Sequence, residues 1–135
     1  MSVPATVSDY MSQTVVSINP DMDIFEAIQI LLEKRISGAP VIDKLGNLVG
    51  MLSEKDCMNI ALDAGYHGLG GGPVSQYMHP GAETVDANAS ILDVAARFLR
   101  QEYRRYVVTL DSRLVGLISR RDVLKALIAL TRESR

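Results

Sequence analysis

The chain has 135 residues, of which 47% are hydrophobic and 22% are charged, and its formal net charge is −2. This composition is typical of a globular protein and excludes a disordered chain, and the slight negative charge disfavours a general nucleic-acid binder. Cys57 is the only cysteine, which excludes an internal disulfide and fits the cytoplasmic location that we expect. The first residues lack the pattern of a signal peptide, and no apolar run approaches the roughly 20 residues of a membrane span.

In chain order, a first block begins with VSDYM (7–11) and a predicted short strand, VVSI (15–18). The next segment has the 3.6-residue periodicity of an amphipathic helix and begins with Asp23 and Glu26, which are typical of a helix start. Its predicted buried stripe consists of Ile24, Ala27, Ile28, Leu31 and Leu32. Two apolar strands, APVID and NLVGMLS, then predict a hairpin, and a closing helix follows Ser53.

The second block repeats this order. VSQYM (74–78) and a predicted strand, ETV (83–85), return at a shift of 67 residues, and LVGLISRRD (114–122) returns at a shift of 66. The slip falls in the hairpin turn, where insertions are tolerated. A helix starting near Ser90 and Asp93, strands YVVTL and RLVGLIS, and a helix after Ser119 complete the block. The stripe of its first helix consists of Ile91, Val94, Ala95, Phe98 and Leu99.

Three correspondences in the same order predict an internal duplication. The predicted fold is α/β (α+β), with two β-α-β-β-α repeats packed through their sheets with pseudo-twofold symmetry. We expect repeat 1 at 7–64, a Gly-rich linker at 65–73 and repeat 2 at 74–132. The GLGGG stretch in the linker lacks the strand, helix and Lys-Ser/Thr ending of a phosphate loop, so we interpret it as a flexible connector.

The charge is unevenly distributed. Residues 1–66 contain four basic and nine acidic residues, a net charge of −5, whereas residues 67–135 contain ten basic and seven acidic ones, a net charge of +3. Three interpretations stay open: an arbitrary distribution over solvated surfaces, an anionic ligand held by the second half, or attraction between opposite surfaces in an oligomer.

The β-α-β-β-α order, the ISGAPVID segment after the first helix, and the Gly-apolar-apolar-Ser-x-x-Asp ending of both blocks (GMLSEKD and GLISRRD) resemble CBS domains. These domains are named after cystathionine β-synthase and occur in tandem pairs called Bateman modules. The resemblance covers residues 7–130. It implies a regulatory, ligand-sensing module that is not an enzyme, that forms homodimers, and that binds AMP, ADP, ATP or S-adenosylmethionine in two clefts between the repeats.

Carried over residue by residue, the resemblance predicts two clefts. Cleft A combines the second Ser-x-x-Asp with the first repeat's wall: Val16, Ser37, Gly38, Ala39, Pro40, Ser119, Arg120, Arg121 and Asp122. Cleft B combines the first Ser-x-x-Asp with the second repeat's wall: Ser53, Lys55, Asp56, Glu83, Arg104, Arg105 and Tyr106. Cleft B departs from the family pattern, because Val107 replaces a common proline. Arg104 and Arg105 would suit a phosphate there, whereas Glu83 would repel one. If only one cleft binds, we expect it to be cleft A.

The residue types suit this chemistry. A helix that starts at either serine leaves backbone N–H groups unpaired and carries about half a positive charge, which favours a phosphate. An aspartate carboxylate can accept hydrogen bonds from both hydroxyls of a ribose. Ser-x-x-Asp is also close to a capping box, and the two readings are compatible. Arg97 and Arg100 are expected on a solvated helix face.

We predict no catalytic site, no metal site and no covalently bound cofactor, with Mg²⁺ entering only alongside ATP. The expected partners are the adenosine ligand, a second copy of the chain and an effector protein that the sequence does not identify; a membrane and nucleic acid are not expected. The alternative function is a ligand-free structural, dimerisation or protein-interaction module.

Overall fold

The computed structural model describes residues 5–68 and 70–133. These residues form five α-helices, five strands and a short 3₁₀ helix over Val74–Gln76. In chain order the α-helices and strands are α1 (Val7–Tyr10), α2 (Ile24–Lys34), β1 (Gly38–Ile42), β2 (Leu48–Ser53), α3 (Glu54–His67), β3 (Thr84–Asp86), α4 (Ile91–Arg100), β4 (Arg105–Leu110), β5 (Arg113–Ser119) and α5 (Arg120–Glu133). The predicted hairpins and helices of both repeats are therefore confirmed.

The chain divides into two compact units. The central unit is Val16–Ala82, and the terminal unit combines Met1–Val15 with Glu83–Arg135. The division differs from the predicted repeats, because each unit holds the sheet of one repeat and the opening VSxYM segment of the other. Compactness and sequence similarity thus follow different boundaries in this chain.

The VSxYM motif supplies each unit with a core residue from the other repeat. Val7 is fully buried with the β3, β4 and β5 residues of the terminal unit, and Val74 is fully buried with the residues of β1 and β2. The backbone holds both segments, since the Val7 amide donates to Ala89 O at 3.0 Å and the Val74 amide to Met22 O at 2.9 Å. Burying a valine stabilises the folded state by about 1.5–3 kcal/mol, which accounts for the invariance of this position between the two copies.

Both amphipathic helices begin as predicted. The Asp23 side chain accepts a hydrogen bond from the Phe25 amide at 3.0 Å, and the Ser90 side chain accepts one from the Leu92 amide at 3.1 Å. Each bond satisfies an amide that has no partner within the first helical turn.

The predicted stripes are only partly buried. Ile24, Ala27 and Leu31 on α2 lie in the core, as do Ile91, Val94 and Phe98 on α4. The last leucine of each stripe is not buried: Leu32 is 67% exposed and Leu99 is 90% exposed. Both leucines therefore lie on the solvent-exposed part of their helix.

The opening strands of the two repeats differ. β3 forms a parallel ladder with β4, so the predicted strand at 83–85 is confirmed to within one residue. Residues 15–18, all within the described part of the chain, form no strand and make one parallel bridge, from Ile18 to Val41. At the position of Val107, whose amide donates to Glu83 O, the first repeat has Pro40, which has no N–H to extend the ladder. The central unit therefore has a two-stranded sheet and the terminal unit a three-stranded one.

The predicted linker is not a free connector where the structure describes it. Helix α3 continues to His67, and Gly68 ends it in the left-handed conformation, at φ 66°. The Gly72 carbonyl oxygen then accepts from the Ile24 amide at 2.9 Å, and the Gly71 carbonyl oxygen accepts from the Tyr77 hydroxyl at 2.7 Å. Leu69, which belongs to the predicted linker, lies outside the described residues.

Candidate ligand-binding site

Both Ser-x-x-Asp motifs form reciprocal caps. The Ser53 hydroxyl donates to Asp56 Oδ2 at 2.7 Å, and the Asp56 amide donates back to Ser53 Oγ at 3.2 Å. Ser119 and Asp122 repeat this arrangement, with distances of 3.0 and 3.2 Å. In each motif the serine amide also donates to the same carboxylate oxygen. The capping reading is therefore confirmed in both copies, and it uses only one oxygen of each aspartate.

The second carboxylate oxygen distinguishes the two motifs. His79 Nε2 lies 2.9 Å from Asp56 Oδ1, so both oxygens of this partly buried carboxylate have partners. No residue in the described ranges 5–68 and 70–133 forms a hydrogen bond with Oδ1 of Asp122. Asp122 therefore keeps an acceptor that a ligand can use.

The surroundings of Asp56 lower its pKa. Partial burial raises the pKa, but hydrogen bonds from the hydroxyl and amide of Ser53, together with the charge and the hydrogen bond of His79, outweigh that effect. The lowered pKa means that Asp56 stays ionised to a lower pH than an ordinary aspartate.

A glycine three residues before each motif serine lets a neighbouring segment of backbone approach closely. A Cβ on Gly50 would lie 2.5 Å from His79 O, and one on Gly116 would lie 2.7 Å from Ser12 O. The absence of a side chain lets the residue after VSxYM pair with the second strand of the hairpin, as His79 does with Met51 and Ser12 does with Leu117. His79 and Ser12 thus occupy corresponding positions beside the two Ser-x-x-Asp motifs.

Asp122 opens onto a polar pocket in the terminal unit. The pocket has a volume of about 270 Å³, near the lower end of ligand pockets. It is lined by Ser12, Thr14, Arg105, Leu117, Ser119 and Asp122. Arg105 was predicted in cleft B, whereas the structure places it beside Ser119, its cross-strand partner. Ser12 and Thr14 were not predicted as site residues. The shift of 67 residues between the repeats makes Ser12 the counterpart of His79.

The other cleft A residues belong to two different units. Arg120 directs its Nε to the carbonyl oxygen of Tyr103 at 3.2 Å, and Arg121 is exposed. In the central unit Ser37 is exposed, Val16 and Gly38 are half-buried, and Ala39 and Pro40 are buried. Since these residues belong to a different unit from Ser119 and Asp122, the complete cleft A stays a prediction.

Two cleft B residues of the terminal unit, Glu83 and Tyr106, contact Arg97. The Arg97 guanidinium donates to the Glu83 carboxylate and to Thr84 O, both at 2.7 Å, and lies 4.6 Å from the Tyr106 ring centroid. The prediction of a solvated Arg97 was wrong, and this guanidinium neutralises the Glu83 charge that would oppose a phosphate. Tyr106 is fully buried and its hydroxyl donates to Gln101, so its side chain has no surface to offer a ligand.

Two further cleft B residues are exposed and make no side-chain hydrogen bond within the described part of the chain: Lys55 and Arg104. The joining of these residues with Ser53 and Asp56 in one cleft stays a prediction.

A family comparison identifies the fold. The CBS domain profile matches residues 7–63 and 74–129, which is most of the chain. The chain belongs to the CBS domain family. It therefore has the mixed α/β fold of a CBS pair, with two β-α-β-β-α-like repeats, as the sequence predicted.

Several proteins are similar to the chain over nearly its whole length. CBSX1, a chloroplastic protein of Arabidopsis thaliana, is 30% identical over 94% of this chain and 66% of its own length. MJ1225, an uncharacterized protein of Methanocaldococcus jannaschii, is 28% identical over 90% of this chain, which spans only 42% of that protein. The crystal structure of A. thaliana CBSX2 in complex with AMP superimposes with a TM-score of 0.77 at 28% identity, covering 93% of this chain and 98% of that one.

The central and terminal units each also expose an apolar groove between their two long helices. The groove of the central unit, of about 550 Å³, includes the exposed side chains of Leu32 and Met58. The groove of the terminal unit, of about 440 Å³, includes those of Leu99 and Leu124. Clustered exposed leucines are unusual on a monomer and typical of an interaction surface.

The remaining chemistry of the CBS pair is limited. Cys57 is buried, and its pKa is raised by burial and by the nearby charges of Asp56 and Glu54, so the thiol stays protonated and unreactive. In the parts of the chain that the structure describes, no group of three or more His, Cys, Asp or Glu side chains could hold a metal ion. None of the described helices is long and apolar enough to cross a membrane.

Proposed function

We propose that this CBS pair is a regulatory module that binds an adenosine nucleotide or S-adenosylmethionine at the pocket of Ser119 and Asp122. The observation that carries the proposal is the Asp122 carboxylate, which uses Oδ2 for the helix cap and leaves Oδ1 without a partner among the described residues. The AMP complex of CBSX2, a relative of 28% identity, supports an adenosine ligand.

The pocket offers complementary groups for such a ligand. Asp122 Oδ1 accepts from a ribose hydroxyl, while the Arg105 guanidinium and the positive end of the α5 dipole attract a phosphate. Thr14 and Ser12 add hydroxyl groups at the same pocket. The pocket alone holds only part of a nucleotide, and the predicted apolar wall of Val16 and Ser37–Pro40 remains a proposal from the family resemblance.

Calorimetry tests this function. The chain is titrated with AMP, ADP, ATP and S-adenosylmethionine, and we expect at least one to bind. Asp122→Asn should weaken binding by at least about tenfold, since a hydrogen bond to a charged group is lost. Asp111→Asn, in the exposed β4–β5 turn, is the matched control and should bind as the wild type does. The absence of binding by all four ligands at millimolar concentration would overturn the proposal.

We also propose a homodimer built on the apolar grooves. A second copy suits them because the central unit contains four basic and eight acidic residues, a net charge of −4, and the terminal unit contains ten basic and eight acidic ones, a net charge of +2. The groove of one unit therefore finds opposite charge on the other unit of a second copy. Burial of the exposed leucines supplies the favourable free energy.

Sedimentation velocity tests the dimer. Leu99→Lys should give monomers, whereas Leu92→Lys, on the same helix but outside the groove, should leave the dimer intact. A wild-type monomer at micromolar concentration would overturn this proposal. Dimers that bind none of the four ligands would instead favour the second candidate function, a ligand-free dimerisation or protein-interaction module, for which the exposed grooves are the supporting observation.

A further inference from the structure

We propose that His79 determines which Ser-x-x-Asp motif accepts the nucleotide, by occupying Asp56 in place of the ligand. The inference rests on the proposed function. His79 belongs to neither predicted cleft, and its side chain makes the two Ser-x-x-Asp motifs unequal.

The backbone around the two motifs is equivalent. His79 and Met51 exchange two hydrogen bonds of 2.9 Å, and Ser12 and Leu117 exchange two of 2.8 and 2.9 Å. Met51 and Leu117 each precede their motif serine by two residues. The residue after VSxYM is therefore held at the same place beside each aspartate, and only its side chain differs.

That side chain decides whether the aspartate is available. The His79 imidazole reaches Asp56 Oδ1 at 2.9 Å and lies on the solvent side of it, since the imidazole is 65% exposed and the carboxylate only 18% exposed. The Ser12 hydroxyl is too short to reach the corresponding oxygen and donates to Thr14 O instead, at 3.5 Å. A ribose hydroxyl can approach Asp122 directly, whereas at Asp56 it must first displace the imidazole.

Displacing the His79 imidazole from Asp56 lowers the affinity of the ligand. A hydrogen bond between an imidazole and an ionised carboxylate is one of the stronger kinds in proteins, and a ligand that breaks it loses roughly 10- to 100-fold in affinity. The ligand also has to move a ring that covers the carboxylate. We therefore expect one nucleotide per chain, bound at Ser119 and Asp122.

Two reciprocal substitutions test the role of His79. His79→Ser gives the central unit the residue that the terminal unit has after its VSxYM segment, and Ser12→His makes the reverse exchange. Both side chains are exposed, so both variants should fold. In calorimetry with AMP, the wild type should bind one nucleotide per chain. His79→Ser should add a second site, and Ser12→His should weaken the first site by at least about tenfold.

The outcomes separate the two proposals. If neither the wild type nor His79→Ser binds AMP, ADP, ATP or S-adenosylmethionine, the proposed function fails. If the wild type binds one nucleotide while His79→Ser still binds only one and Ser12→His binds unchanged, the role of His79 fails and the function stands. Two sites of equal affinity in the wild type would also overturn the role of His79.

A ligand-free measurement checks the contact itself. In the ¹⁵N spectrum at fixed pH, Asp56→Asn should shift the His79 imidazole resonances and leave those of His67 unchanged. Asp63→Asn is the matched control, because Asp63 pairs with His67 at 3.5 Å on the exposed face of α3. Unchanged His79 resonances in Asp56→Asn would overturn the inference without reference to any nucleotide.

Discussion

The amide of Val107 donates a hydrogen bond of 3.4 Å to the carbonyl oxygen of Glu83, and Pro40 at the matching position of the central unit has no donor for Val16. The opening segment of the terminal unit thus has a hydrogen bond that the matching segment of the central unit cannot form. The same proline belongs to the wall predicted for cleft A.

Val107→Pro should reproduce this difference in the terminal unit. The substitution removes one weak hydrogen bond and leaves the β4–β5 pairing in place, so we expect the free energy of unfolding to fall by about 1 kcal/mol. Urea denaturation measures the change. A loss above about 3 kcal/mol would show that this position does not tolerate proline as the central unit does.

Gly116→Ala should be strongly destabilising. The new Cβ would lie 2.7 Å from both Ser12 O and Met11 Sδ, and a backbone oxygen in a paired segment cannot move aside. We expect a loss of about 1–3 kcal/mol, measured by urea denaturation. Gly65→Ala on α3 is the control: nothing lies within 4 Å of its Cβ position, so helix propensity should stabilise this variant by up to about 1 kcal/mol.

Arg97→Met should destabilise the terminal unit although it keeps the aliphatic stem. The change leaves Glu83 without its ion pair and Thr84 O without a donor, and it removes the cation from the Tyr106 face. We expect a loss of about 1–3 kcal/mol in thermal or urea unfolding. Arg100→Met, on the exposed side of the same helix, should change stability by less than about 0.5 kcal/mol. Equal effects of the two substitutions would contradict the cluster around Arg97.

The lowered pKa of Asp56 predicts a pH dependence of stability. Because the folded-state pKa lies below the ordinary value of 3.8, the contribution is fully present above that value and is lost as the pH falls through the folded-state pKa. Asp56→Asn should therefore flatten the acid limb of the curve of unfolding free energy against pH. Asp63→Asn, at a highly exposed carboxylate, is the comparison and should leave the acid limb close to that of the wild type. An unchanged acid limb in Asp56→Asn would contradict the cap and ion pair described for this residue.

Local patterns predicted local structure well. The helix starts at Asp23 and Ser90, the two hairpins and the duplication itself all follow from short-range periodicity and capping, and the structure confirms them. The exposure of Leu32 and Leu99 could not be predicted, because helical periodicity identifies an apolar face without saying what covers it.

Contacts between segments that are far apart in the chain could not be predicted from the sequence. A repeat shows that VSDYM and VSQYM are equivalent, but it does not say which hairpin each one joins. The contacts of His79 with Asp56 and of Arg105 with the Ser119 pocket depend on that choice. The Ser-x-x-Asp caps were therefore predicted correctly, whereas the positions of Ser12, Thr14 and His79 beside them became visible only in the structure.

The division of the chain at Val15 and Glu83 has a consequence for biosynthesis. The central unit is one continuous stretch and is complete once residue 82 has left the ribosome. The terminal unit is discontinuous, and Val7 has no core to enter until β3, β4 and β5 have been made. The VSDYM segment therefore has no core to pack against until the second repeat has been made, so a nascent chain that stalls there exposes this segment to proteases and chaperones.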